Sequence, residues 1–101
     1  MNPLIQENLP RIRQLCRRHG VAELHAFGSV VRRDFGPSSD VDFLVEFDWT
    51  DPVGLSDRFL GLKADLESLL GRPVDLVCHS AIRNPVFRAF VEAQKEAIYA
   101  A

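Results

Sequence analysis

From Asp40 onward the chain alternates: Asp40, Asp42, Leu44 and Glu46 fall on one side, Val41, Phe43, Val45 and Phe47 on the other. A period of two predicts a strand from Asp40 to Phe47, with an apolar face that packs under helices. Upstream, Leu9, Ile12, Leu15 and Cys16 recur at helical spacing. They predict a helix from about Leu9 to His19, capped by Asn8, with Pro10 in its first turn and Gly20 as its stop. Residues 3–8 are indistinct, at most a helical turn. Val21 to Phe27 reads as the first strand. Val30 to Phe35 reads as a short helix opening at Ser29 and stopped by Gly36-Pro37.

Downstream, Asp48 to Pro52 is predicted to turn, with Trp49 over the strand end, Asp51 as an N-cap and Pro52 as the first helical residue. Leu55, Phe59, Leu62, Leu66 and Leu69 then form a core-facing stripe to about Leu70, where Gly71 and Pro73 end the helix. Pro73 to Cys78 is the third strand, with Val74, Leu76 and Cys78 on one face and Asp75 and Val77 on the other. Asn84-Pro85 repeats the cap-then-proline start. A last helix is predicted to run to about Tyr99, with Phe87, Phe90, Val91, Gln94 and Ile98 inside. The order is helix, strand, short helix, strand, helix, strand, helix. Periodicity alone makes this a small α/β chain, read as one domain over residues 1–101.

Composition narrows the class without naming an activity. The apolar share of 47% and charged share of 26% are those of an ordinary globule, and a net charge of −2 gives no field that would gather nucleic acid. Arg11, Arg13, Arg17 and Arg18 ring the first helix and read as a solvated face, the last two complementing its negative end. Cys16 and Cys78 fall on apolar faces without metal-ligand spacing and read as free thiols of a reducing compartment. The N-terminus lacks an uninterrupted apolar signal segment, and no apolar run reaches the roughly 18–20 residues of a membrane span. A cytoplasmic protein is expected. His25 and His79 read as structural and surface histidines.

The chemistry concentrates in F-G-S-V-V-R-R-D-F-G-P-S-S-D-V-D, from Phe27 to Asp42. Strand geometry sets Asp40 and Asp42 about 6.6–6.8 Å apart along one face. Two carboxylates so placed repel unless a positive charge lies between them. A divalent cation is the natural candidate, because Mg²⁺ takes oxygen ligands from one or two carboxylates and from substrate phosphates. Gly28 lets the backbone approach closely, and Ser29 offers a hydroxyl and an N–H at a strand-to-helix turn, where phosphate is attracted.

This stretch resembles the nucleotidyltransferase signature of the DNA polymerase β superfamily, in which G-S is followed after about ten residues by D-x-D at a strand start. It is most similar to the minimal nucleotidyltransferases (MNT proteins) of bacteria and archaea: Phe27, Gly28, Ser29, Arg32, Ser39, Asp40, Asp42 and Val45 match their motif. Val31 stands where a small residue is usual, and Arg33 where glycine is usual. The resemblance spans nearly the whole chain and implies a mixed three-stranded sheet flanked by about four helices.

The same resemblance implies a third metal-binding and catalytic acid at Asp75, in R-P-V-D-L-V (Arg72 to Val77), which helps draw the proton from the attacking hydroxyl. It implies two Mg²⁺ ions, about 3.5–4 Å apart in such sites, held by Asp40, Asp42 and Asp75. ATP is the expected substrate, with its phosphates met by Gly28, Ser29, Arg32 and Ser39. The expected reaction moves AMP onto a hydroxyl of a protein acceptor, with the chain acting as the antitoxin of a HEPN-domain toxin. Alternatives are an antitoxin that works by binding alone and an aminoglycoside-type enzyme acting on a small molecule. The chain has few residues to spare for a small-molecule acceptor pocket.

Overall fold

The computed structural model describes residues 1–32, 34–48 and 54–101. The expected roles of Trp49, Asp51 and Pro52 therefore lie outside the described residues, as does Arg33. Helix α1 (Pro3–Arg18) is followed by strands β1 (Val21–Phe27) and β2 (Val41–Phe47), helix α2 (Leu55–Leu70), strand β3 (Val74–Cys78), helix α3 (Pro85–Gln94) and strand β4 (Glu96–Ala100). Short 3₁₀ turns occupy Gly28–Val31 and His79–Ala81. The fold is the expected mixed α/β architecture, but among the described residues the sheet has four strands in the order β3-β2-β1-β4 and three α-helices flank it. Only β2 and β3 run parallel; the 16-residue α2 supplies the long crossover that a parallel pair needs.

The apolar face of β2 is buried as its alternation predicts: Val41, Phe43 and Val45 are fully covered and Phe47 nearly so. They pack with Leu24 and Ala26 of β1, Ile12 and Cys16 of α1, and Leu62, Leu66 and Leu70 of α2. The other face is half covered. Phe27, Leu44, Ile82 and Val91 form a smaller cluster there under α3. Leu44, which shares a side with the acids, is thus buried, while Asp42 and Glu46 on that side are half-buried.

Three local expectations are corrected. Helix α1 begins at Pro3, with Asn2 and not Asn8 as its cap: the Asn2 side chain accepts from the Leu4 N–H at 2.9 Å. Burial of Ile5 in the first turn repays the earlier start, and Pro10 sits inside the helix, where it cannot donate a ladder bond. The segment after Ser29 forms only a 3₁₀ turn, closed by Arg32 N–H donating to the Ser29 carbonyl at 3.1 Å. Nucleating an α-helix in so few residues is costly, and β-branched Val30 and Val31 make it costlier while Val30 is drawn into the core. The last helix stops at Gln94. Lys95 turns extended, and Glu96–Ala100 pairs with β1 as a fourth strand that buries Ile98. The open edge of β1 would otherwise present unpaired N–H and C=O groups, which strand pairing satisfies and a longer helix would not.

The proline-led start of α3 is as expected: Asn84 Oδ1 accepts from Val86 and Phe87 N–H groups at 2.9 and 3.3 Å. Both cysteines are free, Cys16 buried and Cys78 half-buried. Burial pushes the Cys16 thiol up to about 12, and burial followed by nearby Glu46 raises Cys78, so neither is poised as a nucleophile. Among the described residues no helix is long and apolar enough to cross a membrane.

Candidate active site

The three aspartates lie at one end of the β2–β3 pair. Parallel pairing sets Asp42 directly beside Asp75, with Val41 beside Val74 and Phe43 beside Leu76. Neighbouring strands lie about 4.8 Å apart, so the two side chains share one edge of the half-covered face. Asp40 enters from the residue just before β2. Asp42 is half-buried and Asp75 exposed. Burial first, then the charges of Asp75 and Asp40, push the Asp42 carboxyl up to about 6, while Arg32 pulls it slightly down. Among the described residues none of the three forms a salt bridge with a protein cation.

Gly28 closes over Asp42. It follows the last residue of β1, where Phe27 pairs with Asp42, and takes a left-handed φ of +74°. A Cβ built there would collide with Asp42 Oδ2. Glycine is therefore required twice, by its backbone conformation and by the carboxylate packed against it. Ser29 follows, half-buried, and its side chain makes no hydrogen bond among the described residues. The turn is not an α-helix N-terminus, so any hold on phosphate rests on the N–H groups and hydroxyl of the turn, without a helix dipole.

The remaining candidates fall into different places. Arg32 is exposed and pairs with Asp34 at 3.1 Å, yet its charge is felt at Asp42. Ser39 lies in the loop leading into Asp40. Its hydroxyl accepts from Gly36 N–H at 2.9 Å and its own N–H donates to the Gly36 carbonyl at 3.1 Å. The structure thus gives Ser39 a part in shaping the loop that delivers Asp40. His79 lies at the far end of β3, with Nε2 3.0 Å from Glu92 and Nδ1 3.5 Å from Glu46, bridging α3 to β2. His25 lines a groove of about 160 Å³ beside it, and burial followed by nearby Lys95 lowers its pKa. A larger groove of about 560 Å³ between α1 and α2 contains none of the candidate residues.

Two residues of the site escaped the sequence reading. One Arg72 nitrogen donates to the carbonyls of Gly36 and Ser39 at 2.8 and 2.9 Å, and its guanidinium lies 4.6 Å from the Phe35 ring centroid. It ties the loop before Asp40 to the start of β3, where Val41 N–H also donates to the Pro73 carbonyl at 3.0 Å. The signal was present as the basic residue of R-P-V-D. The other is Gln94, whose Oε1 accepts from Gly28 N–H at 3.1 Å. It was visible only as a polar residue within an apolar stripe. Arg72→Ala should destabilise the fold by about 2–3 kcal/mol, through two lost charge-assisted bonds and a lost cation–π contact. Urea unfolding checks this, and an unchanged midpoint would show the loop to be self-supporting.

Paired acids at the start of β2, a third acid in register on parallel β3 and a glycine turn pressed on Asp42 are the layout the sequence signature implies. Residues 10–99 match the nucleotidyltransferase domain family, and the chain belongs to it, among the minimal nucleotidyltransferases. It is 36% identical over 87 residues to the protein adenylyltransferase MntA of Thermococcus cleftensis, covering 86% of this chain and 82% of that one. A solved structure assigned as a minimal nucleotidyltransferase superposes with a TM-score of 0.76 at 32% identity, covering 91% of this chain and 90% of that one. A toxin–antitoxin structure with AMP-PNP superposes at 0.72 and 25% identity, covering 93% and 74%. A tri-AMPylated Shewanella oneidensis HEPN toxin in complex with MNT antitoxin gives 0.65 at 24% over 95% and 72%, a likeness of fold.

Proposed function

We propose that this chain is a Mg²⁺-dependent protein adenylyltransferase that moves AMP from ATP onto a hydroxyl of a HEPN-type toxin and thereby acts as its antitoxin. The observation that carries the reading is the placement of Asp42 beside Asp75, with Asp40 adjacent and no salt-bridged protein cation among the described residues. Such an acid set is suited to hard divalent cations, and Asp40, Asp42 and Asp75 would hold them. Among the described residues no three acidic, histidine or cysteine groups converge tightly enough to bind an ion unaided. Triphosphate oxygens would add to the ligands that these carboxylates offer. Bound there, Mg²⁺ would supply charge neutralisation at the phosphates and a more acidic acceptor hydroxyl.

The chain's own residues do the rest. Ser29 and the following N–H groups of the turn bond the outer phosphates, Gly28 lets the backbone come close to them, and Arg32 adds positive charge toward them. Asp75, exposed on the strand beside Asp42, faces the incoming acceptor and draws its proton. The acceptor oxygen bonds to the α-phosphorus as the bond from that phosphorus to pyrophosphate breaks. Positioning and charge account for most of such catalysis, which a scaffold of 101 residues can provide.

A protein acceptor is favoured by where the apolar residues go. The stripes of α1 and α2 are spent on the core and Val91 of α3 on the cluster with Leu44, while Phe87 and Phe90, expected inside, are exposed. A small acceptor normally needs a pocket that buries most of its surface. A side chain delivered by another folded protein does not. The relatives' names point the same way: a protein adenylyltransferase, and an AMPylated HEPN toxin held by its MNT antitoxin.

The test is intact-mass spectrometry of a neighbouring HEPN-type protein incubated with this chain, ATP and Mg²⁺. Mass gained in steps of one AMP, lost with excess EDTA and lost with Asp75→Asn, is the expected result. A stable complex with unchanged partner mass would favour an antitoxin that acts by binding alone.

A further inference from the structure

We propose that Gln94 is a positioning residue that holds the Gly28-Ser29 turn in the conformation that receives the outer phosphates, an inference resting on the reading of that turn as the triphosphate site. Gly28 leaves the β1–β2 ladder at φ +74° just after its last pair, so its buried N–H points away from strand pairing. A buried donor without an acceptor is costly. Gln94 Oε1 supplies the acceptor at 3.1 Å from across 66 residues of chain. Its amide is itself oriented, because Nε2 donates back to the Phe90 carbonyl at 3.3 Å.

Gln94 is the last residue of α3, and α3 is anchored on both sides of it. Val91 is buried against Phe27 and Leu44. The Phe87 ring meets Phe27, the residue before Gly28, edge to face at 6.2 Å. Beyond Gln94, Lys95 pairs with Glu92 at 2.8 Å, and Glu92 with His79 at 3.0 Å. The amide thus reaches Gly28 from a fixed platform. The Gly28 N–H is consumed by Gln94, which leaves Ser29 and the following N–H groups to meet the ligand and fixes their direction. Helix α3 is then part of the nucleotide site as well as the cover of a sheet face.

Gln94→Met keeps the side-chain volume and removes the acceptor; Gln94→Glu keeps an acceptor oxygen. Calorimetry with AMP-PNP and Mg²⁺, and separately with AMP, compares both with the unaltered chain. Gln94→Met should weaken AMP-PNP binding about five- to tenfold, the worth of roughly one hydrogen bond. AMP binding should change less than twofold, and the KM for ATP should rise more than kcat falls. Hydrogen exchange at the Gly28 amide should quicken in Gln94→Met and stay slow in Gln94→Glu. A purely structural role would lower the melting temperature while leaving the AMP-PNP to AMP affinity ratio untouched, and that result overturns the proposal. Failure of the unaltered chain to bind AMP-PNP removes the nucleotide reading itself, and this inference with it.

Discussion

Asp42→Asn should lower nucleotidyl transfer by about 10²–10³-fold or more and, above pH 6, raise the melting temperature. The loss follows from the removal of a ligand charge at the centre of the acid cluster, where electrostatic stabilisation carries the reaction. The gain follows from what holds the carboxyl up at about 6: burial first, then Asp75 and Asp40. Its ordinary value is 3.8, so the folded state binds the proton more tightly than the unfolded one. Below 3.8 the group is neutral in both states and costs nothing. Between 3.8 and 6 stability falls as pH rises, and above 6 the full penalty of a charged Asp42 is present. Allowing for solvent screening, that penalty is about 1–2 kcal/mol. Asparagine removes it, which for a chain of this size is worth roughly 5 °C or more at pH 8 and close to nothing at pH 3.5. Thermal melts of both proteins across that range, without Mg²⁺ or nucleotide, check the claim. Equal melting temperatures at every pH would mean that the acids do not strain one another. Wild-type turnover in Asp42→Asn would remove the residue from the mechanism.

Gly28→Ala should damage both stability and turnover. Alanine at φ +74° carries the left-handed penalty of about 1–2 kcal/mol. The new Cβ also enters the space of Asp42 Oδ2, so the carboxylate must swing out of its place beside Asp75. The expected result is a loss of stability of about 1–3 kcal/mol together with a loss of turnover as deep as that of Asp42→Asn. Gly71→Ala separates the two causes: Gly71 also has a left-handed φ, +65°, but a Cβ there meets nothing within 4 Å. It should lose stability and keep its turnover. Circular-dichroism melts and steady-state rates on the two variants decide it, and a fully active Gly28→Ala would show that Asp42 has another working position.

Much of the candidate site was legible because its signals are local. Alternation from Val41 to Phe47 settles which side chains of β2 enter the core, since pleating sends successive residues to opposite faces whatever lies beyond the strand. Asn84 followed by Pro85, and Gly71 after Leu70, mark helix ends by chemistry confined to a few residues. The spacing from Gly28-Ser29 to Asp40 and Asp42 is likewise a property of the chain, and it carried the family resemblance.

What the tertiary structure decided depends on partners distant in sequence. Glu96 to Ala100 has a pattern that fits the end of a helix as well as a strand; the unpaired edge of β1, some 70 residues earlier, makes it β4. In the sequence Gly28 reads as a place where the backbone can approach a phosphate closely; that Asp42 packs against it is visible only in the fold. The register that sets Asp42 against Asp75 rests on the α2 crossover and on Arg72 bracing the loop before β2. The bond from Gly28 to Gln94 joins residues with no sequence relation at all. Local periodicity selects elements because backbone geometry repeats within them; it is silent on which edges meet, since pairing and register are settled by burial and hydrogen-bond satisfaction across the whole fold.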